Sequence, residues 1–140
     1  MTIKRVFICG PYTSPDRWQE EQNVRSAEEV GYRVAQAGAY PVIPHANTRH
    51  YFSGIQTPQF WYAATMAEMR TCDALVMVPG WAQSTGAVAE KAEAERLGIP
   101  VFLHVRDIIK CLETEGETTA QRKEHIKEFE KTLPEWMRSK

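Results

Sequence analysis

Ala74-Leu75-Val76-Met77-Val78-Pro79-Gly80-Trp81-Ala82-Gln83-Ser84-Thr85-Gly86-Ala87-Val88-Ala89-Glu90 is the stretch whose reading decides the fold. Ala74 to Val78 form a continuous apolar run of strand length, the pattern of a strand covered on both faces. Pro79-Gly80 ends it. A loop of small residues follows, then a helix for which Ser84 or Thr85 can serve as cap. A strand, a Gly/Ser loop and a helix N-terminus together suit an anionic group, because free N–H groups and the helix dipole converge there. Ser84 and Gly86 are the residues expected to line that cradle. Glu90 lies four residues after Gly86 and shares its face. Ala94 and Leu97 continue the face, so Glu90 is the one charge on a small, apolar stripe. Helical side chains lean towards the N-terminus, which aims Glu90 back at the loop. The dipole is expected to help keep it ionised, as a nucleophile requires. The competing reading is a helix acid paired with Lys91 or Arg96.

Towards the N-terminus, Val6-Phe7-Ile8-Cys9 is a second apolar run of the same kind, ended by Gly10-Pro11-Tyr12-Thr13-Ser14-Pro15. Gly10 is expected to let a ligand approach the backbone. Tyr12 and Thr13 would stand at the carboxyl end of the first strand, where open α/β sheets bind ligands; a plain strand-to-helix turn is the alternative. A helix is predicted from about Trp18 to Ala37, with Val24, Ala27, Gly31, Val34 and Ala35 at helical spacing and Gly38 as its stop. Asn23 reads as a solvated residue on it, with a reach to a ligand as the alternative. Ala39 to Pro44 reads as a short strand whose two prolines argue for a sheet edge. His45 to Gly54 reads as a long loop rich in groups that recognise a base or sugar, with Arg49 as a phosphate or base contact and a solvated loop as the alternative. The His45-x4-His50 spacing is no zinc arrangement without further ligands.

A helix is predicted from about Thr57 to Arg70, with Thr57 as cap and Pro58 in its first turn. Its Phe60, Trp61, Ala64, Met66, Ala67 and Met69 are expected in the core. Asp73, at the entry to the central strand, is open between a cap and a site residue. Beyond Glu90, Gly98 ends the helix and a fourth strand runs to Leu103. Strands alternating with helices predict an α/β domain with a parallel sheet and helical crossovers. Val105 to Glu113 reads as a short helix. Thr118-x-x-Gln121 has the form of a capping box. Ile126, Phe129, Leu133 and Trp136 make an apolar stripe that must pack, on its own subunit by preference or else on a partner.

The 140 residues suit a single domain, 1–140, with a core of about 3–104 and a helical extension of about 105–140. With 43% hydrophobic and 25% charged residues the profile is that of an ordinary soluble chain. A net charge of -1 supplies no basic field for a nucleic-acid polymer. No run is long enough to span a membrane, and Ile3 to Ile8 is too short for a signal peptide. Cys9, Cys72 and Cys111 show no metal spacing and read as reduced thiols, which points to a cytoplasmic setting.

The ordered set Ile8-Cys9-Gly10-Pro11-Tyr12-Thr13, Asn23, Gly38 to Pro44-His45, Cys72-Asp73-Ala74-Leu75 and Pro79-Gly80-Trp81-x-x-Ser84-x-Gly86-Ala87-x-x-Glu90 resembles the nucleoside 2-deoxyribosyltransferase-like superfamily, over roughly residues 3 to 104. The nearest likeness is to its small branch with a Pro-Gly-Trp-x-x-Ser-x-Gly-Ala-x-x-Glu signature. The resemblance implies a flavodoxin-like α/β fold and chemistry at an N-glycosidic bond. It implies that Glu90 attacks the anomeric carbon, that the base departs, and that water or a second base resolves the glycosyl-enzyme. Tyr12 would help position the nucleophile, and Asp73 matches a family aspartate at the strand entry. Ser84, Gly86, Gly10 and Thr13 are expected around the substrate's phosphate, and His45, Arg49 and Trp81 around its base and sugar.

Two departures from the family pattern shape the expectation. Ser84 stands near the place where transferases of free nucleosides carry an aspartate for the sugar 5′-hydroxyl. A serine accepts a phosphate that an aspartate would repel, so the implied substrate is a nucleoside 5′-monophosphate. Thr65 stands where many relatives carry an aspartate that contacts or protonates the leaving base; Asp73, Glu68 or His45 would have to substitute, or catalysis would be weak. The implied chemistry needs no metal and no redox cofactor. The implied partners are a small-molecule nucleotide or nucleoside and further copies of the chain, as a homodimer or larger, with a neighbour completing the site. The other readings are a base-exchanging transferase, a nucleotide-binding module without turnover, and a phosphoribohydrolase. The last has a Pro-Gly-Gly-x-Gly-Thr-x-x-Glu loop, which Trp81 and Ser84-Thr85 break.

Overall fold

The structure is a computed structural model that describes residues 3–49, 51, 55–115 and 119–138. Four strands, β1 (Arg5–Cys9), β2 (Tyr40–Val42), β3 (Ala74–Met77) and β4 (Val101–Phe102), form one sheet in the order β2-β1-β3-β4. Every pairing is parallel, with Val6 opposite Ala74, Cys9 opposite Met77, Phe7 opposite Val42 and Val76 opposite Phe102. The helices are α1 (Arg17–Gln36), α2 (Pro44–Asn47), α3 (Pro58–Met69), α4 (Thr85–Arg96), α5 (Val105–Glu115) and α6 (Thr119–Glu130). This is a flavodoxin-like α/β fold.

The central strands show no polar alternation because neither face meets water. Val6, Ile8, Ala74, Val76 and Val78 pack towards α1 and α5, with Ala27, Val30, Val34 and Ile108. Phe7, Cys9, Leu75 and Met77 pack towards α3 and α4, with Met66, Met69, Ala87 and Ala94. Burying a side chain such as Phe7 or Leu75 stabilises the fold by about 1.5–3 kcal/mol. From β1 the chain crosses to β2 on one side, and from β3 to β4 on the other. The carboxyl ends of β1 and β3 therefore bound a topological switch point, the crevice where open α/β sheets take ligands.

Local chemistry sets the element ends. Asp16 caps α1 by accepting from the Trp18 N–H at 3.0 Å, and Gly38 ends it with φ 98°. Thr57 caps α3 by accepting from the Phe60 N–H at 3.2 Å. β2 lies at the edge, as its prolines require. It stops at Val42, and Pro44 opens α2, so the expected strand is shorter and part of the expected loop is helical. Pro44 has no N–H to give a ladder but fits a first helical turn.

Some expected core residues lie outside. On α3 only Met66 and Met69 are buried, while Phe60, Ala64 and Ala67 are exposed. That helix is apolar almost all round, so spacing does not tell which face is covered. Ala35 and Leu97 are exposed too; Val30 takes the place on α1, and Leu97 caps α4. In the C-terminal tail Ile126, Phe129 and Trp136 are exposed, Trp136 by 80%, so the stripe does not pack on its own sheet. The stripe lies on α6 and the turn beyond it, past the last strand, where the four-stranded sheet already carries helices on both faces. The Arg122 guanidinium lies over Gly38, 2.6 Å from where a Cβ would stand. Thr118 of the expected capping box lies outside the described residues. Among them no helix is long and apolar enough to cross a membrane.

Candidate active site

The crevice has two walls. One is the turn that leaves β1. Gly10 is buried, and a Cβ there would stand 2.6 Å from Val78 Cβ. The glycine thus lets the ends of β1 and β3 close together, and the expected ligand approach to Gly10 is corrected: Val78 fills that space. Tyr12 is half-buried, its ring edge-on to His45 with centroids 5.6 Å apart. Burial and the nearby Glu20 charge push its phenol up, against smaller pulls from Thr48 and Arg49. Thr13 is exposed. Asn23, expected in solvent, instead donates from Nδ2 to the Tyr12 carbonyl at 3.1 Å.

His45 is only 5% exposed. Its Nε2 lies 3.0 Å from the Gly10 carbonyl and 3.1 Å from that of Pro11. Carbonyls only accept, so Nε2 carries the proton. Nδ1 is buried without a partner, and burial holds the imidazole below its usual pKa, against the pull of those two carbonyls. Its one committed N–H makes His45 a poor proton donor to a substrate. Arg49 is committed elsewhere: its guanidinium pairs with Glu21 and, at 2.9 Å, with Glu28 of α1. The expected phosphate or base contact from Arg49 is therefore corrected, since two carboxylates already neutralise it. His50 and Phe52 to Gly54 lie outside the described residues.

The other wall is the segment from β3 into α4. Gly80 is left-handed, with φ 91°, and turns the chain into a 3-10 turn at Trp81–Gln83. Ser84 is extended and caps α4, its Oγ accepting from the Ala87 N–H at 3.2 Å. The hydroxyl proton remains available to a ligand. A Cβ on Gly86 would meet nothing nearer than Ser84 Oγ at 4.0 Å, so this first turn of α4 is open on that side. Trp81 is half-buried against the core, with Lys91 Nζ 5.4 Å from its ring centroid.

Glu90 is not a surface ion-pair residue. Lys91 pairs with Glu95, and Arg96 with Glu93 at 2.6 Å, so neither cation expected as an alternative partner holds it. Its Oε2 is buried without a hydrogen-bond partner. Burial pushes the carboxyl up to about 7. The expectation that the dipole keeps it ionised is corrected: Glu90 lies in the second turn, beyond the reach of the dipole, and desolvation wins. Below it, Cys9 donates its S–H to the Ala87 carbonyl at 3.5 Å. Burial and the Glu90 charge both lift that thiol.

Two expected acids are not brought to the crevice. Asp73 Oδ2 accepts from the Arg5 N–H at 2.8 Å, at the amino ends of β1 and β3. That is the opposite edge of the sheet, and the catalytic expectation for Asp73 is corrected to a cap on a strand entry. The Glu68 carbonyl accepts from Thr71 Oγ1 at 2.7 Å, just ahead of the β3 entry, which puts Glu68 by the same wrong edge. Thr65 donates to the Tyr62 carbonyl at 3.3 Å within α3. A separate cleft of about 570 Å³ opens beside Pro79 to Trp81, bounded by Arg33 of α1 and Arg106 of α5; Tyr12, Ser84 and Glu90 do not line it. Among the described residues no three His, Cys, Asp or Glu side chains gather as a metal site.

The crevice thus joins a desolvated carboxylate to an open helix N-terminus with a free hydroxyl proton. Residues 4–106 match the family described as Domain of unknown function (DUF1937), and the chain belongs to that family. No curated protein matches the chain.

Proposed function

We propose that the protein cleaves the N-glycosidic bond of a nucleoside or deoxynucleoside 5′-monophosphate, as its resemblance to the nucleoside 2-deoxyribosyltransferase-like superfamily implies. The observation that carries the reading is Glu90 behind the open first turn of α4, its Oε2 buried without a partner. A carboxylate partly stripped of water is a stronger nucleophile once ionised. Its pKa near 7 leaves about half of it ionised at neutral pH. The substrate's phosphate sits on the α4 N-terminus, taking the Ser84 hydroxyl proton and the first amides of the helix.

In the first step a Glu90 oxygen bonds to C1′ and the C1′–N bond breaks. Its electron pair leaves with the base, which takes a proton from water. In the second step a water oxygen bonds to C1′, the Glu90 ester bond breaks, and the water's proton returns to solvent. On this reading the hydroxyl of Tyr12, whose ring is edge-on to His45, helps to position the nucleophile. With Thr65, Asp73 and Glu68 all unable to serve as the acid, turnover is slow and depends on how readily the base leaves.

A second reading, a nucleotide-binding module without turnover, is favoured by the same Thr65, whose hydroxyl is bonded inside α3. A base-exchanging transferase is the third. Reaction in water enriched in heavy oxygen separates them. Hydrolysis puts one heavy oxygen on sugar C1, exchange needs an added second base, and a binding module yields neither product. Absence of labelled sugar phosphate contradicts the hydrolase. The working form on this reading is a homodimer or larger in the cytoplasm; the exposed aromatics Phe60 and Tyr62 on α3 are surface that a second copy would cover.

A further inference from the structure

Three successive carbonyls after β1 are claimed by side chains from elsewhere in the fold. His45 Nε2 reaches those of Gly10 and Pro11, and Asn23 Nδ2 that of Tyr12. A carbonyl only accepts, so it fixes both donors: Nε2 of His45 must carry its proton, and Asn23 must turn its amide nitrogen inward. Gln19 holds the other end of Asn23, donating to Oδ1 at 2.9 Å. Glu20 Oε1 accepts from the Ser14 N–H at 3.2 Å and closes the turn. The amides of Tyr12 and Thr13 have no hydrogen-bond partner among the described residues. Free N–H groups on a segment held at several points are available to an anionic oxygen.

We propose that Asn23 and His45 are positioning residues which draw the Gly10, Pro11 and Tyr12 carbonyls inward, so that the Tyr12 and Thr13 amides receive an anionic oxygen of the substrate. The inference deepens the glycosidase reading and rests on it for the identity of that substrate, whose anionic oxygens are those of its phosphate. The binding itself is testable without turnover. Neither side chain touches the reacting atoms. Each acts through the turn, and each does so as a donor, which makes donor-preserving and donor-removing substitutions diverge. His45→Gln keeps an N–H for the carbonyls; His45→Phe keeps a ring without one. Asn23→Asp keeps the shape and loses the donor.

The test is amide nuclear magnetic resonance of the full chain, titrated with inorganic phosphate and then with a deoxynucleoside 5′-monophosphate. In the unsubstituted protein and in His45→Gln the Tyr12 and Thr13 signals move on titration. In His45→Phe and Asn23→Asp the apparent affinity falls by about tenfold, the loss expected for one hydrogen bond's worth of ordering. Equal affinity in all four proteins, or Tyr12 and Thr13 signals that stay still while the ligand binds, overturns the inference. A readout independent of any variant's folding is the His45 ring itself. Its nitrogen shifts should report Nε2–H with bare Nδ1 at neutral pH, and a proton on Nδ1 there overturns it. A protein that binds phosphate at these amides yet releases no base refutes the glycosidase reading and leaves the clamp standing. A protein that releases base while these amides stay still refutes the clamp alone.

Discussion

The Glu90 carboxyl and the Cys9 thiol stand together at the carboxyl end of β1, and burial with the Glu90 charge lifts the thiol well above its usual range. Cys9 gives its one proton to the Ala87 carbonyl and so offers nothing to Glu90. The carboxylate has an apolar floor, no cation and no donor to Oε2. An arrangement that costs stability and gains no contact in return is characteristic of a working site.

That cost has a sign and a pH window. Glu90 has an ordinary value of 4.5 and about 7 in the fold. Between those values the folded state holds the proton more tightly than the unfolded chain, so stability falls as pH rises through the window and stays low above it. The full loss is about 3 kcal/mol. Urea unfolding of Glu90→Gln at pH 5 and pH 8 should show a variant that gains on the native protein by about that amount between the two pH values. Parallel curves at both pH values would contradict the buried, unpartnered carboxyl.

The same ionisation should govern rate. If the ionised form attacks, single-turnover base release rises tenfold per pH unit on the acid side and levels off above about 7. A limb near 4.5 instead means that Glu90 is solvated in the substrate complex.

Ser84→Asp separates capping from phosphate binding. Aspartate caps a helix as well as serine does, so stability should stay within about 0.5 kcal/mol. Its charge opposes a phosphate on the first turn of α4, and calorimetric affinity for a 5′-monophosphate should drop by at least about tenfold while free nucleosides are spared. Unchanged monophosphate affinity removes Ser84 from the phosphate site.

Asp73 should behave as a structural residue. Asp73→Ala removes the acceptor for the Arg5 N–H and should lower stability by about 1 kcal/mol with base release intact. A large loss of rate in a stable variant would return Asp73 to the chemistry.

Without a built-in acid, rate should track the base as a leaving group. Across a series of nucleotides with progressively better leaving bases, base release should accelerate steeply. A flat series points to an acid in the site.

The sheet was legible because its strands are buried on both faces, so Val6 to Cys9 and Ala74 to Val78 read as unbroken apolar runs. The α4 cap at Ser84 and the α3 cap at Thr57 follow from local chemistry and were legible too. The faces of α3 were not, because that helix is apolar nearly all round. Glu90 stood out as one charge on an apolar stripe, yet its protonation depends on what covers it, which no spacing reports. The partners of Asp73 and Asn23 are not legible in the sequence, for one reason. Which edge of the sheet a residue reaches is fixed by strand direction and register, and only those place Asp73 with Arg5 and Asn23 with Tyr12.

The most direct measurement is chromatographic detection of free base after incubating the protein, and Glu90→Ala beside it, with a panel of nucleosides and 5′-monophosphates. The account predicts base release from at least one 5′-monophosphate, little from the matching nucleoside, and none with Glu90→Ala. No base from any nucleotide, or equal release by the variant, contradicts it.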